Sequence, residues 1–315
     1  MFAVCIESSH QRGMGHFFRA LNLLAYLHGR NQPAILLLNG HQPSIGMLRD
    51  RNIPFEIVPL DDLETGWEDA IIRRHQVTVW LNDRLDTDIR HAQRIKSAGV
   101  KLATVDDRGS GAQLADLHFA PLILDEAEKP SGKKVCRGID YLVLNPEIDR
   151  YKKVRYRQQK ILVTLGGSDT YGATLIVVEQ LKQQGLAATV LAGPSFEHHE
   201  ALQKILTPSF RLLHGVPSLI ETFSHFDLAI TGGGVTPFEA NASGLPCIVV
   251  ANEWFEIPVG RHLEKLGGSV FAGSYDNLDP AVFAGSLDIE AMSRAGMEHL
   301  TTRGAENIYR ELTAS

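Results

Sequence analysis

The sequence predicts an α/β protein of two Rossmann-like parallel-sheet domains facing each other across a cleft. Three observations carry this reading. Short, continuous apolar runs alternate with helix-period segments, the pattern of parallel sheets covered on both faces. The alternation comes in two series, separated by Asn145-Pro146 and the basic, aromatic stretch Arg150-Tyr-Lys-Lys-Val-Arg-Tyr-Arg157. A length of 315 residues exceeds one ordinary α/β domain and suits two, read as 1–150 and 151–315.

The first series has strands at 2–6, 34–38, 55–58, 77–81, 102–105 and 117–119, with helix-period segments at 17–28 and 86–98. Its first βα turn is Gly13-Met14-Gly15-His16-Phe17-Phe18-Arg19, reached through Glu7-Ser-Ser-His-Gln-Arg12. Two glycines before a helix let the backbone approach an anion closely, which makes Gly15 a candidate nucleotide contact. His16 opens the helix, and imidazole is the side chain best suited to proton transfer near neutral pH. The structural alternative is that it merely caps or packs, and His10 is a neighbouring polar candidate. Asp83 follows the fourth strand and Asp106-Asp107-Arg108-Gly109 the fifth. Asp83 and Asp107 are candidates to orient a base or an acceptor, although turns use aspartates without any such role. Asp86-Thr87-Asp88 superficially matches an acidic metal motif but reads as a helix start with Asp86 as N-cap. No metal cluster and no cofactor are expected.

The second series has strands at 161–165, 188–191, 210–213, 228–231, 247–251 and 269–272, with helix-period segments at 173–184, 217–224 and 261–265. Its first turn, Leu165-Gly166-Gly167-Ser168-Asp169, suits a phosphate nest at Gly167 and Ser168, or a tight turn capped by Ser168 or Asp169. The stretch Gly232-Gly233-Gly234-Val235-Thr236-Pro237-Phe238-Glu239 is the most informative in the chain. Glycines between a strand and a helix admit a ligand, and the helix start offers free N–H groups, so Gly233, Gly234 and Thr236 are expected at a phosphate or diphosphate. Thr236, Pro237 and Glu239 also fit a capping box; the alternative role for Glu239 is accepting from a ribose diol. Asn252-Glu253-Trp254-Phe255-Glu256 follows the fifth strand, where Asn252 could contact a base or sugar or lie in an ordinary loop.

The net charge of −6 excludes non-specific nucleic-acid binding over the whole surface. Cys5, Cys136 and Cys247 share no metal or disulfide spacing and read as buried thiols of a reducing, cytoplasmic setting. The N-terminus reads as a strand rather than a signal peptide, and no run approaches the ~18 apolar residues of a membrane span. The stretch 150–157 reads as a solvated linker, or alternatively as a peripheral membrane patch.

The turns, in this order, resemble the family of the UDP-2,4-diacetamido-2,4,6-trideoxy-β-L-altropyranose hydrolase of pseudaminic acid synthesis, with its related spore-coat polysaccharide biosynthesis proteins. The residues that carry this are Gly13-Met-Gly-His16-Phe-Phe-Arg19, Asn82-Asp-Arg-Leu-Asp-Thr87, Asp106-Asp107, Ala115-Asp116, Leu165-Gly-Gly-Ser-Asp169, Gly232-Gly-Gly-Val-Thr236 with Glu239, and Arg303-Gly-Ala-Glu306. The C-terminal half is also similar to the lipid-linked N-acetylglucosaminyltransferase of peptidoglycan synthesis. The resemblance implies a GT-B fold, a UDP-sugar held mainly by the C-terminal half, diphosphate at Gly167, Ser168, Gly233 and Gly234, ribose at Glu239, and His16 as the catalytic histidine. Two segments depart from the hydrolases: Glu7-Ser8-Ser9 replaces an Arg-Asp-Ala type, and Leu81-Asn82-Asp83 stands where they carry Asp-His-Tyr. The expected activity is metal-independent hydrolysis of a nucleotide-sugar, UDP- or CMP-linked. The alternatives are glycosyl transfer from the same site and non-catalytic nucleotide-sugar binding.

Overall fold

The computed structural model describes residues 1–9, 14–167, 169–193 and 196–314. His10, Gly13 and Ser168 of the candidate turns lie outside these. The chain forms two compact units, Met1–Val143 with Arg303–Ser315, and Leu144–Thr302.

Unit 1 carries strands β1 (Phe2–Ile6), β2 (Ala34–Leu38), β3 (Phe55–Ile57), β4 (Val79–Asp83), β5 (Lys101–Val105), β6 (Leu117–Ala120) and β7 (Lys134–Arg137). They form one all-parallel sheet in the order β3-β2-β1-β4-β5-β6-β7. Its first helices are α1 (Gly15–Gly29), α2 (Gln42–Asp50), α3 (Trp67–His75) and α4 (Ile89–Ser97). Alternation along β1 explains the layering. Phe2, Val4 and Ile6 join the core under α1, while Ala3 and Cys5 join the core under Ile71 of α3 and Ile95 of α4.

Unit 2 begins with a short helix α5 (Ile148–Tyr151) and repeats the plan. Its strands are β8 (Ile161–Thr164), β9 (Ala188–Ala192), β10 (Phe210–His214), β11 (Leu228–Gly232), β12 (Cys247–Ala251), β13 (Ser269–Ser274) and β14 (Asn277–Leu278), in the order β10-β9-β8-β11-β12-β13-β14. Only the last pair is antiparallel. Its further helices are α6 (Ala173–Gln183), α7 (His199–Ile205), α8 (Leu219–Phe223), α9 (Thr236–Ala242), α10 (Ile257–Lys265), α11 (Pro280–Ala284) and α12 (Ile289–His299). In each sheet the strand order reverses between the first and fourth strands, β1/β4 and β8/β11. Ligands of open parallel sheets bind outside the strand C-termini at that reversal.

The division differs from 1–150 and 151–315. The boundary falls between Val143 and Leu144, and the final helix, α13 (Gly304–Thr313), returns to unit 1. Its stripe Ala305, Ile308 and Leu312 enters the core beside α1. Lys101 Nζ donates to the carbonyls of Leu312 at 3.0 Å and Ala314 at 3.1 Å, closing the helix C-terminus. Gly304 seats the helix start: a Cβ there would lie 2.0 Å from the Leu142 carbonyl oxygen. Gly304→Ala must move backbone rather than a flexible side chain, and is expected to cost about 3 kcal/mol in urea unfolding.

The basic stretch is exposed at Arg150, Lys152, Lys153, Tyr156 and Arg157, as a solvated linker would be, but it is anchored to unit 2 at Arg155. Arg155 is buried and donates to the carbonyls of Lys153 at 2.7 Å, Phe223 at 3.0 Å, and Ser243. Lys153 Nζ reaches Ser224 O at 2.5 Å and Lys152 Nζ reaches Met297 O at 3.2 Å. These cations satisfy the C-terminal carbonyls of α8, α9 and α12. Burial pushes the Arg155 guanidinium down to about 10. All three cysteines are buried and free, and burial lifts the Cys5 and Cys247 thiols to about 12.

Candidate functional site

In unit 1 the candidate groups gather at the sheet reversal. β1 and β2 are clamped just beyond their ends by a reciprocal pair: Ser8 N–H donates to Asn39 Oδ1 and Asn39 Nδ2 to the Ser8 carbonyl, both at 2.9 Å. Strand β4 runs two residues further than its apolar run, so Asn82 and Asp83 are strand residues, with Asp83 beside Ile6. α1 opens at Gly15, where no atom lies within 4 Å of a would-be Cβ, and His16 stands in the first turn.

His16 Nδ1 lies 2.5 Å from Asp83 Oδ1. One turn on, Arg19 Nε donates to Asp83 Oδ2 at 2.7 Å, its Nη2 to Asp83 Oδ1, and its Nη1 to Asp106 Oδ2 at 2.8 Å. Arg19 and both aspartates are buried; the His16 side chain keeps 14% exposure. Facing a carboxylate, Nδ1 carries the ring proton and Nε2 is left to accept one. The Arg19 Nη2 contact to Nδ1, at 3.2 Å, is then electrostatic rather than a hydrogen bond. Burial alone would raise the Asp83 carboxyl; Arg19 and His16 beside it hold it well below the usual carboxylate range. For Arg19, burial opposes the charge, and Asp83 and Asp106 outweigh it, holding the guanidinium above its ordinary value.

Asp107 stands apart from this group. Its Oδ1 accepts from the N–H of Thr87 at 3.0 Å and of Gly109 at 2.8 Å, and its Oδ2 accepts from the Thr87 hydroxyl. It braces the loop after β5 against the loop after β4, with both oxygens engaged there. Asp86 does not cap α4; Asp88 does, accepting from Arg90 N–H at 2.7 Å. The same two loops hold non-glycine residues at positive φ, Leu85 at 72° and Asp106 at 49°. Such strain persists where surrounding contacts enforce it, commonly at functional sites. Arg19 and Asp106 were visible in the sequence motifs, but nothing there revealed that Arg19 bridges two carboxylates.

In unit 2 the glycines serve different ends. Gly166 takes φ of 102°, and Gly193 packs so tightly on this turn that a Cβ would lie 2.4 Å from the Gly166 carbonyl. Gly167 has open space in place of a side chain, and Asp169 caps α6, accepting from Ala173 N–H at 2.8 Å and Thr174 N–H at 2.9 Å. Gly234 also faces open space. Gly233 does not: its N–H donates to Glu256 Oε2 at 3.1 Å, and a Cβ would lie 2.5 Å from that of Glu256. Its amide is therefore engaged by the Glu256 carboxylate. Asn252 N–H donates to the same oxygen at 2.7 Å, and its Nδ2 donates to the Leu165 carbonyl at 2.9 Å, tying the β12 loop to the β8 turn. Asn252 Oδ1 is buried with no partner among the described residues.

The capping box does not form. Val235, in helical conformation, occupies the N-cap of α9 and no side chain caps the helix. Thr236 is the first helical residue, and Glu239 lies a residue too deep to reach back. Glu239 is half-buried, and burial pushes its carboxyl up to about 7, opposed by the Asn145 N–H. A carboxylate without a capping task beside a glycine turn has capacity for a ligand's hydroxyls. Among the described residues no group of His, Cys, Asp or Glu is placed to hold a metal, and no helix is long and apolar enough to cross a membrane.

No protein-family profile matches the chain. An uncharacterized protein of Methanocaldococcus jannaschii is 25% identical over 268 residues, 79% of this chain and 55% of that one, so the chain spans about half that relative's length. The spore coat polysaccharide biosynthesis protein SpsG of Bacillus subtilis is 22% identical over 286 residues, 85% of this chain and 82% of that one. Among solved structures, MurG of Acinetobacter baumannii superposes with a TM-score of 0.72 at 14% identity over 99% of both chains. The spinosyn rhamnosyltransferase SpnG complexed with thymidine diphosphate gives 0.63 at 13% over the whole of both. The S. aureus MnaA structure with UDP gives 0.64 at 15% over 99% of this chain and 95% of that one. At these identities the structural likeness shows the fold, which is that of the GT-B glycosyltransferases.

Proposed function

We propose that the protein is a nucleotide-sugar-dependent glycosyltransferase acting in polysaccharide biosynthesis, with His16 as the general base and unit 2 as the nucleotide-binding unit. The observation that carries it is the His16–Asp83 pair at 2.5 Å, in a fold whose solved examples include a rhamnosyltransferase with thymidine diphosphate and an MnaA structure with UDP. The sugar hydroxyl of an acceptor gives its proton to Nε2, and its oxygen forms the new bond to the anomeric carbon. The bond from that carbon to the diphosphate breaks, and its electron pair leaves with the nucleotide. Gly167, Gly234 and the Thr236 N–H would hold the diphosphate, Glu239 the ribose, and Asn252 Oδ1 a donor on the sugar or base. Developing charge on the diphosphate would be met by these backbone N–H groups without calling on a metal.

Hydrolysis is the second reading, favoured by the motif resemblance around His16 and Gly232–Gly234; water then replaces the acceptor. A panel of UDP-, dTDP- and CMP-sugars, followed for nucleotide release with and without a sugar acceptor, separates the two. Release that requires acceptor supports transfer. Release at enzymatic rates from donor alone establishes hydrolysis, and binding with neither makes the protein a sensor.

Glu239 yields a pH prediction. Its folded carboxyl, at about 7, stands above its ordinary value near 4.5, so between those values the folded protein holds a proton that the unfolded chain has lost. That contribution to stability falls as pH rises through the window. Ribose hydroxyls donate to the ionised form, so nucleotide binding should expel the proton and tighten as pH rises through about 7. Calorimetry of UDP or dTDP binding near pH 6.5, in buffers of different ionisation enthalpy, should show release of up to about one proton. Glu239→Gln should abolish it; undiminished release in that variant removes Glu239 from the site.

A further inference from the structure

We infer that Arg19 and Asp106 are positioning residues that balance the charge of the His16 base, an inference that rests on the proposed role of His16. Neither residue is exposed to a substrate: Arg19 is 5% and Asp106 2% exposed. Arg19 lies one turn beyond His16 on α1, with Nε and Nη2 on Asp83 and Nη1 on Asp106. Asp106, at the end of β5, is itself fixed: its second oxygen accepts the Leu122 N–H at 2.8 Å.

Charge has to balance in this buried space. Asp83 and Arg19 alone cancel, so a proton arriving on His16 would leave an uncompensated positive charge, which burial penalises heavily. With Asp106 added, the group carries −1 before proton transfer and zero after it. Asp106 never touches the ring, yet it supplies the charge that makes the imidazolium acceptable. Arg19 does a separate job. It keeps the two carboxylates from repelling each other and holds Asp83 Oδ1 against Nδ1, so that the incoming proton goes to Nε2. His16 Nδ1 meets Asp83 from the end of β4 and Arg19 from α1, and Asp106 reaches it through Arg19.

The two roles have opposite electrostatic signs, which makes the test sharp. The full-length protein, labelled at histidine ring carbons, is titrated by NMR, and the His16 signal is identified by its disappearance in His16→Ala. Asp106→Asn removes a negative charge and should move the midpoint of the His16 titration down by about one pH unit; Arg19→Gln removes a positive charge and should move it up by a similar amount. Where turnover is measurable, the acid limb of kcat should move in the same directions, with KM changed by less than about threefold. Midpoints that stay put, or that move the same way in both folded variants, overturn the inference. If Asp106→Asn does not fold, Arg19→Gln decides alone, and an absent rise overturns it. The NMR readout needs no substrate, so failure to find any glycosyl transfer leaves this test intact and counts against the proposed function instead.

Discussion

His16→Ala is expected to lower turnover by roughly 10²–10⁴-fold while leaving the affinity for UDP or dTDP within about twofold of wild type. The size follows from what is removed. Under the proposed reaction the acceptor hydroxyl would then have to lose its proton to water, and a positioned base contributes two to four orders of magnitude in such reactions. The selectivity follows from where the ring sits. His16 belongs to unit 1, whereas every candidate nucleotide contact outside the first turn belongs to unit 2. The fold should tolerate the change, because Asp83 keeps both Arg19 contacts. Turnover with the responsive donor and calorimetry with the free nucleotide are the measurements. Turnover within about threefold of wild type would remove His16 as the base, and an equal loss of nucleotide affinity would make it a binding residue.

Asp107→Ala should act on stability rather than on chemistry, lowering the unfolding free energy by about 3–4 kcal/mol. Three donors lose their acceptor at once: the N–H groups of Thr87 and Gly109 and the Thr87 hydroxyl. Each unsatisfied buried donor costs about 1–3 kcal/mol, and water entering the loosened loops recovers part of that. The loops cannot re-form other contacts easily, since a Cβ at Gly109 would already lie 2.3 Å from the Thr87 nitrogen. Asp107→Asn, which keeps an oxygen for the two N–H groups, should lose about half as much. Urea unfolding measures both. A large loss of turnover with unchanged stability would instead return Asp107 to the catalytic group.

The contrast between Asp83 and Asp107 marks how far the sequence carries. The doubled strand series, the glycine turns at equivalent places and His16 at a helix start are local patterns, and period and turn chemistry expose them. Each strand core was placed to within a residue or two, because a buried parallel strand is a continuous apolar run. β7 escaped because Lys134-Val-Cys-Arg137 has only one buried residue. Which aspartate faces His16 is a different kind of fact. Asp83 ends a strand while Asp106 and Asp107 follow one, and a one-residue difference at a strand end turns a side chain to the other face. The same limit applies to Gly233. A glycine needed for a ligand and a glycine needed because Glu256 packs on it look identical in one sequence. The displaced helix cap, from Thr236 to Val235, freed Glu239 in a way that the pattern of residue types argued against.

The return of α13 to unit 1 bears on how the chain is made. The ribosome delivers residues 144–302 in full before it delivers the helix that covers the sheet of residues 1–143. Unit 2 can therefore complete its contacts during synthesis, while unit 1 waits with the apolar seat of Ala305, Ile308 and Leu312 uncovered. The unit that carries His16 is the last to mature, and a nascent chain should complete unit 2 before it completes unit 1.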